Sequence, residues 1–278
     1  MKNILSEIDH DFFNENGYVI VKNAAPAEDC DATVQFINDY LGGGHAKDWY
    51  QPPYNEHGFM PLYFHQTMWN NRQNKMLYRS VCEIISADKL WVSIDRVCAK
   101  LPSHPDHPTW GSEGFLHWDC NPEERPDEVT IQGVLVLADT TEDMGGFQCL
   151  PGCHKLDFLK DFLALKKTNP DARPGQLAGI NGWPEATRIP AEKGDYIIWN
   201  RLLPHGNAAN DSRDKIRYCQ YILYHTMKDR DDRKEIINLC YTRHNHNMGN
   251  DPYDYERQTP QAELTELGKK LLGELPWD

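Results

Sequence analysis

His117 and Asp119, two residues with metal-binding side chains, set the strictest condition on the fold because one residue separates them. Side chains at positions i and i+2 point the same way only on an extended chain, so the pair requires a strand or a strand end. The preceding run, residues 114–116, is short and apolar, which is typical of a strand end. A third candidate, His205, lies 86 residues after Asp119. The fold must therefore bring two distant segments together.

A second pair of the same spacing, His104-Pro105-Asp106, competes with the first. Proline at its middle position removes a donor from any strand ladder, and further prolines flank it. We therefore interpret this stretch as a loop and take His117 and Asp119 as candidate ligands with His205. Two imidazoles and one carboxylate on one face of a metal leave positions open, which suits non-haem iron(II) oxygenases.

Composition excludes several classes of partner. The 278-residue chain has a formal net charge of −13 and an isoelectric point near 5.3, which argues against nucleic acid and against an anionic membrane. No apolar run approaches the roughly 18 residues of a transmembrane helix, and the first residues carry no signal-peptide core. The eight cysteines are scattered, which predicts free, mostly buried thiols and a cytoplasmic protein.

Short apolar runs separated by turn-forming residues dominate from residue 90 onward, and helical patterns lie on either side. We expect strands at 18–21, 90–99, 130–137, 147–150, 196–199 and 218–224, and helices at 26–41, 75–86, 155–165 and 261–272. This order predicts a mainly β protein with flanking helices and a sandwich or jelly-roll core. We expect one domain: a helical part at about 1–88, the core at about 89–225, and a C-terminal extension with a helix at about 226–278.

Several motifs follow one another in a distinctive order along the chain. They are Phe13 to Val21, His117-Trp118-Asp119, Gly145 to His154, Gly194-Asp195, Pro204-His205-Gly206, Asn210 to Ser212, and Arg217. Each is weak alone, but the ordered set is specific. It resembles the phytanoyl-CoA dioxygenase (PhyH-like) family over about residues 10–225.

The resemblance implies a double-stranded β-helix, a cupin-like jelly roll, that binds Fe(II) through His117, Asp119 and His205. It also implies that 2-oxoglutarate and O2 are co-substrates, and that oxidation of a small molecule releases succinate and CO2. Hydroxylation is the expected outcome, and desaturation, epimerisation or ring formation by the same iron chemistry remain alternatives. Iron halogenases of this fold carry a small residue in place of the acid, so Asp119 favours oxidation over halogenation.

The resemblance also implies a site for 2-oxoglutarate. Arg217 corresponds to the arginine that pairs with the distal carboxylate, because a planar guanidinium suits two-point carboxylate binding. Arg213 is an alternative, since this chain has one extra residue between His205 and the arginine. The apolar context of Arg217 at the start of a strand favours it. Asn207 and the mid-strand Gln132 are further candidates for contact with 2-oxoglutarate.

Trp118, Asn121 and Arg96 are candidate substrate contacts, because the first two flank the histidine–acid pair and the third lies on a neighbouring strand. Relatives in bacteria and fungi often modify specialised metabolites, so we expect a small metabolite. The acidic chain makes a coenzyme A thioester a less natural substrate than a neutral or cationic molecule. The sequence leaves the oligomeric state open.

Two readings compete with an oxygenase. The first is a non-catalytic jelly-roll binding protein with a vestigial metal site, which loss of a ligand or of the arginine would have favoured. The second is a generic cupin-type metalloenzyme, which does not need the arginine. All four residues are present in this chain.

Overall fold

The computed structural model describes residues 3–42, 57–124, 129–227, 233–243 and 254–277. Seven α-helices occur within these ranges: α1 (Glu7–Asn16), α2 (Ala27–Tyr40), α3 (Gln66–Arg72), α4 (Lys75–Ile85), α5 (Leu156–Thr168), α6 (Arg233–Thr242) and α7 (Glu266–Leu272). The helices at 26–41, 75–86 and 155–165 were predicted closely. The C-terminal helix is shorter than the pattern at 261–272 indicates, because Thr265 caps its start by accepting from the N–H of Gly268.

Eleven strands form three antiparallel sheets within the described residues. The strands are β1 (Tyr18–Val21), β2 (Phe59–Met60), β3 (Leu90–Val92), β4 (Val97–Lys100), β5 (Ile131–Val136), β6 (Phe147–Cys149), β7 (Thr187–Arg188), β8 (Tyr196–Asn200), β9 (His205–Asn207), β10 (Arg217–Tyr221) and β11 (Tyr224–Thr226). The large sheet has the order β1-β8-β5-β10-β4-β2, the small sheet has the order β7-β6-β9, and β3 pairs with β11. The predicted mainly β architecture with flanking helices is therefore present.

The large sheet is buried on both faces, and alternation along its strands assigns each side chain to one face. Residues such as Leu135 and Ile198 belong to a core cluster that includes helical residues. Their neighbours Val134 and Ile197 join a second cluster that also contains Phe147 of the small sheet. This second cluster fills the space between the large and small sheets, which is the interior of the jelly roll.

Two predicted strands are wrong as continuous elements. The predicted strand at 90–99 divides into β3 and β4, and the one at 218–224 divides into β10 and β11. The two breaks lie beside each other, because β3 pairs with β11 on one side of them and β4 pairs with β10 on the other. The backbone stays bonded across the break, where Ser93 N–H donates to Leu223 O at 2.8 Å and Tyr221 N–H donates to Arg96 O at 3.1 Å. β3 and β11 therefore leave the large sheet together and form a separate pair.

The predicted strand end before His117 is also wrong. His117 forms only an isolated β-bridge with His205, and Asp119 lies outside regular structure. The two bridge bonds, His117 N–H to His205 O at 2.9 Å and His205 N–H to His117 O at 3.1 Å, replace a longer ladder. Within the described ranges, no helix has the length and apolar character needed to span a membrane.

Candidate metal centre

The β-bridge between His117 and His205 brings the two imidazoles together, with ring centroids 4.9 Å apart. Each ring hydrogen-bonds through Nδ1 to the carbonyl two residues earlier. His117 donates to Phe115 O at 3.0 Å, and His205 donates to Leu203 O at 2.9 Å. A carbonyl can only accept, so Nδ1 carries the proton and Nε2 keeps a free lone pair. Both rings are therefore in the tautomer that a metal requires at Nε2.

Both Nε2 atoms face the carboxylate of Asp119. Oδ1 lies 3.3 Å from His117 Nε2, and Oδ2 lies 3.3 Å from His205 Nε2. Ligands on one face of an octahedral ion are separated by roughly 3 Å, so the spacing suits such an ion. The adjacent imidazoles of His117 and then of His205 hold the pKa of Asp119 well below its usual range. The carboxylate is therefore ionised, as a metal ligand must be.

Arg217, at the start of β10, is 3% exposed and points into the interior of the jelly roll. Its Nη1 lies 3.8 Å from Cys98 Sγ and 3.4 Å from Tyr221 Oη. These partners are a thiol and a phenol, and no carboxylate pairs with the guanidinium among the described residues. A buried guanidinium without a carboxylate is costly, which points to an anionic ligand as its partner. The alternative arginine, Arg213, is exposed and lies away from this interior.

A cavity of about 230 Å³ joins the three candidate metal ligands to Arg217. Asn207 lies in its wall and donates from Nδ2 to Tyr221 Oη at 3.1 Å. Tyr221 thus connects Asn207 with Arg217, a role that sequence reasoning missed. Its position four residues after Arg217 on one strand was the available signal, because even spacing places both side chains on one face.

Gln132 lies in the same cavity wall, but its amide is directed at Asp119, one of the candidate metal ligands. Its Nε2 donates to Asp119 Oδ2 at 2.6 Å, and its Oε1 accepts from Trp199 Nε1 at 3.2 Å. Contact between Gln132 and 2-oxoglutarate stays a prediction. The structure adds two partners that the sequence did not predict.

The three predicted substrate contacts lie in different places. Arg96 lines the cavity, with its guanidinium 5.2 Å from the ring centroid of Phe59. Trp118 donates to Leu202 O at 2.7 Å and packs against α5. Asn121 donates to the Glu124 carboxylate at 3.2 Å. Trp118 and Asn121 line a separate cavity on the α5 side of His117. Substrate contact by all three residues stays a prediction.

Lys100 is a further buried cation beside the site, directly opposite Arg217 in the strand register. Its Nζ donates to Ser112 O at 2.7 Å and to Ala208 O at 2.6 Å. These carbonyls belong to the segment before His117 and to the residue after β9. Burial lowers the pKa of Lys100 to about 8. Lys100 therefore ties together the two segments that carry the histidines.

Comparison with known proteins agrees with this geometry. The family model for phytanoyl-CoA dioxygenase (PhyH) matches residues 13–219, which is most of the chain. The chain belongs to the PhyH family. A Dictyostelium discoideum relative whose name places it among the phytanoyl-CoA dioxygenases is 23% identical over 313 residues, covering 95% of this chain and 86% of the relative.

Solved structures show the same fold at low identity. HygX from Streptomyces hygroscopicus, solved with nickel and 2-oxoglutarate bound, superposes with a TM-score of 0.57 at 13% identity, covering 80% of this chain and 88% of HygX. SnoK, a non-haem α-ketoglutarate-dependent carbocyclase from nogalamycin biosynthesis, gives a TM-score of 0.54 at 18% identity, covering 80% and 84%. The predicted jelly-roll core is confirmed. As a PhyH-family member, the protein is a 2-oxoglutarate-dependent dioxygenase that uses iron(II), 2-oxoglutarate and O2.

Proposed function

We propose that this enzyme hydroxylates a small-molecule metabolite, with iron(II) bound by His117, Asp119 and His205 and with 2-oxoglutarate anchored by Arg217. The observation that supports the proposal is the shared cavity, which is lined by Arg217, a buried cation without a carboxylate partner among the described residues, and by the three convergent side chains of His117, Asp119 and His205. A vestigial binding protein has no need for both features, since each costs stability without a ligand.

The donor set fits iron(II). The donor atoms of the three residues lie within 4.8 Å of one another, and both imidazoles have Nε2 free. Two neutral nitrogens and one hard carboxylate suit iron(II) and leave positions for other ligands. When bound, the metal supplies the binding and activation of O2 and of the keto acid. The protein's part is to hold the three ligands in register.

In this proposal, Arg217 sets the orientation of 2-oxoglutarate in the cavity. A guanidinium binds a carboxylate through two parallel hydrogen bonds, which fixes orientation as well as position. Its partners Cys98 and Tyr221 are a thiol and a phenol, so an incoming carboxylate meets no competing carboxylate at this point among the described residues. Binding the distal carboxylate here directs the keto-acid end of 2-oxoglutarate along the cavity toward the histidines.

A second cavity, of about 370 Å³, adjoins the first at Asp119 and Gln132, and we assign the substrate to it. Its volume suits a small molecule. Apolar side chains such as Ile85 and Val129 line it beside the hydroxyl of Thr130 and the side chain of Arg201. With Asp119 engaged by metal, this lining accommodates a neutral or anionic group better than a cation, in spite of the chain's net negative charge.

The reaction balances as substrate C–H, 2-oxoglutarate and O2 giving substrate C–OH, succinate and CO2. Turnover under ¹⁸O2 with a metabolite library tests it, with products followed by mass spectrometry. The proposal predicts one ¹⁸O in the succinate and one in a product that is heavier than its substrate by one oxygen. A product lighter by two hydrogens, formed with labelled succinate, would instead establish desaturation or ring formation. Absence of succinate under all conditions would refute the oxygenase mechanism.

A further inference from the structure

The Gln132 side chain connects the interior of the large sheet to the metal-binding carboxylate. Gln132 on β5 and Trp199 on β8 are direct cross-strand partners. Trp199 Nε1 donates to Gln132 Oε1 at 3.2 Å, and Gln132 Nε2 donates to Asp119 Oδ2 at 2.6 Å. The three residues therefore form one chain of hydrogen bonds that ends on the carboxylate.

The chemistry of the two end groups fixes the orientation of the amide. An indole N–H can only donate, and an ionised carboxylate can only accept. The amide oxygen must face Trp199 and the amide N–H must face Asp119, because the opposite orientation would set like groups against each other at both ends. Trp199 is itself held in place, since its ring packs 4.7 Å from Phe147 and 5.0 Å from His205 between ring centroids.

Asp119 needs such a restraint more than either histidine does. Each imidazole has a backbone partner at Nδ1 and lies in the β-bridge. Asp119 lies outside regular structure, and its side chain is 49% exposed. An exposed carboxylate samples several rotamers, and metal binding must select one of them. A strong hydrogen bond to one oxygen makes that selection before the metal arrives.

We propose that Gln132, held by Trp199, is a positioning residue that keeps the Asp119 carboxylate between the two imidazoles and so raises metal affinity. This inference rests on the proposed function, because it takes Asp119 as a metal ligand. Partners of this type are typically worth about 10–100-fold in metal affinity or activity. Methionine at position 132 keeps the length of the side chain and removes both hydrogen bonds.

The test uses Mn(II) as the probe and follows the electron paramagnetic resonance signal of the free ion during titration of the full-length protein. Gln132→Met is expected to weaken Mn(II) binding by about 10–100-fold. Trp199→Phe, which keeps an aromatic ring and removes the indole donor together with part of the ring, is expected to give a smaller loss in the same direction. Gln35→Met is the matched control, because Gln35 Nε2 donates to the Asp39 carboxylate at 2.7 Å on the exposed face of α2. Its Mn(II) affinity is expected to equal that of the parent.

The outcomes separate this inference from the proposed function. If His117→Ala abolishes binding while Gln132→Met and Trp199→Phe bind Mn(II) like the parent, the positioning role is wrong and the metal site stands. If His117→Ala also binds like the parent, the metal site itself is wrong. Thermal unfolding of each variant is measured alongside. Should Gln132→Met fail to fold, Trp199→Phe decides, and an unchanged affinity in that variant overturns the inference.

Discussion

Replacement of Arg217 by methionine is expected to weaken the binding of 2-oxoglutarate without lowering the stability of the unliganded protein. The variant removes a 3%-exposed guanidinium that has no carboxylate partner among the described residues. Two charge-assisted hydrogen bonds to a carboxylate contribute about 1.5–3 kcal/mol each, so their loss weakens 2-oxoglutarate binding by at least roughly 3 kcal/mol. This corresponds to a dissociation constant about 100-fold higher. The unliganded protein loses a buried charge that no carboxylate pairs with among the described residues, so its free energy of unfolding is expected to stay level or rise.

Thermal unfolding with and without 2-oxoglutarate measures both effects in one experiment. The metal is kept at a saturating concentration throughout. At a ligand concentration about 100 times the dissociation constant, the parent gains about 2.7 kcal/mol from binding. That gain corresponds to a rise of roughly 5 °C in the unfolding midpoint for a chain of this size. Arg217→Met is expected to show almost no rise at the same concentration, and to unfold without ligand at or above the temperature of the parent.

The exposed Arg213 provides the matched control, since it lies four residues earlier and away from the cavity. Arg213→Met is expected to keep the full shift with 2-oxoglutarate. If Arg213→Met loses the shift while Arg217→Met keeps it, the anchor has been assigned to the wrong arginine. If the unliganded Arg217→Met protein is much less stable than the parent, the guanidinium is structural and the reasoning from its missing carboxylate partner fails.

Three further predictions concern the framework around the site. Burial lowers the pKa of His65, whose ring stacks 3.7 Å from Phe36, so the folded protein binds fewer protons than the unfolded chain. Stability should fall as pH drops below about 6.5, and His65→Asn should reduce that dependence in denaturant titrations at several pH values. Lys100→Met leaves two buried carbonyls without their donor and should lower the free energy of unfolding by about 1–3 kcal/mol per carbonyl; equal stability would show that water replaces the ammonium. Gly133→Ala should lower the free energy of unfolding by about 1–3 kcal/mol or more, because the added Cβ would overlap the Tyr196 hydroxyl oxygen. An unfolding midpoint equal to that of the parent would contradict that packing.

Local sequence signals were sufficient to predict much of the site. The i, i+2 spacing of His117 and Asp119 required an extended segment whatever the surrounding fold. Proline in the competing pair excluded His104 and Asp106, and the structure places them in a loop. The apolar context of Arg217 distinguished it from the solvated Arg213. The resemblance to the family implied the role of Arg217, and side-chain chemistry with neighbours within a few residues decided between each pair of alternatives.

The interactions that the sequence did not reveal are non-local. Gln132 was expected to contact 2-oxoglutarate, but its observed partner Trp199 follows from the register of β5 against β8, which separates the two residues by 67 positions. The division of the predicted strand at 90–99 likewise depends on its partner segment, because β10 pairs with β4 in the large sheet whereas β11 pairs with β3 outside it. Periodicity within one segment carries no information about such pairing.

An anaerobic titration with Fe(II) and 2-oxoglutarate, followed by visible absorption, tests the central claim most directly. Chelation of iron by a keto acid gives a weak metal-to-ligand charge-transfer band, which requires open positions on the metal. The band is expected only when both components are present. It should disappear in His117→Ala and require roughly 100-fold more 2-oxoglutarate in Arg217→Met. A folded protein that gives no band with both components, or a band that survives in His117→Ala, would contradict the assignment of this site.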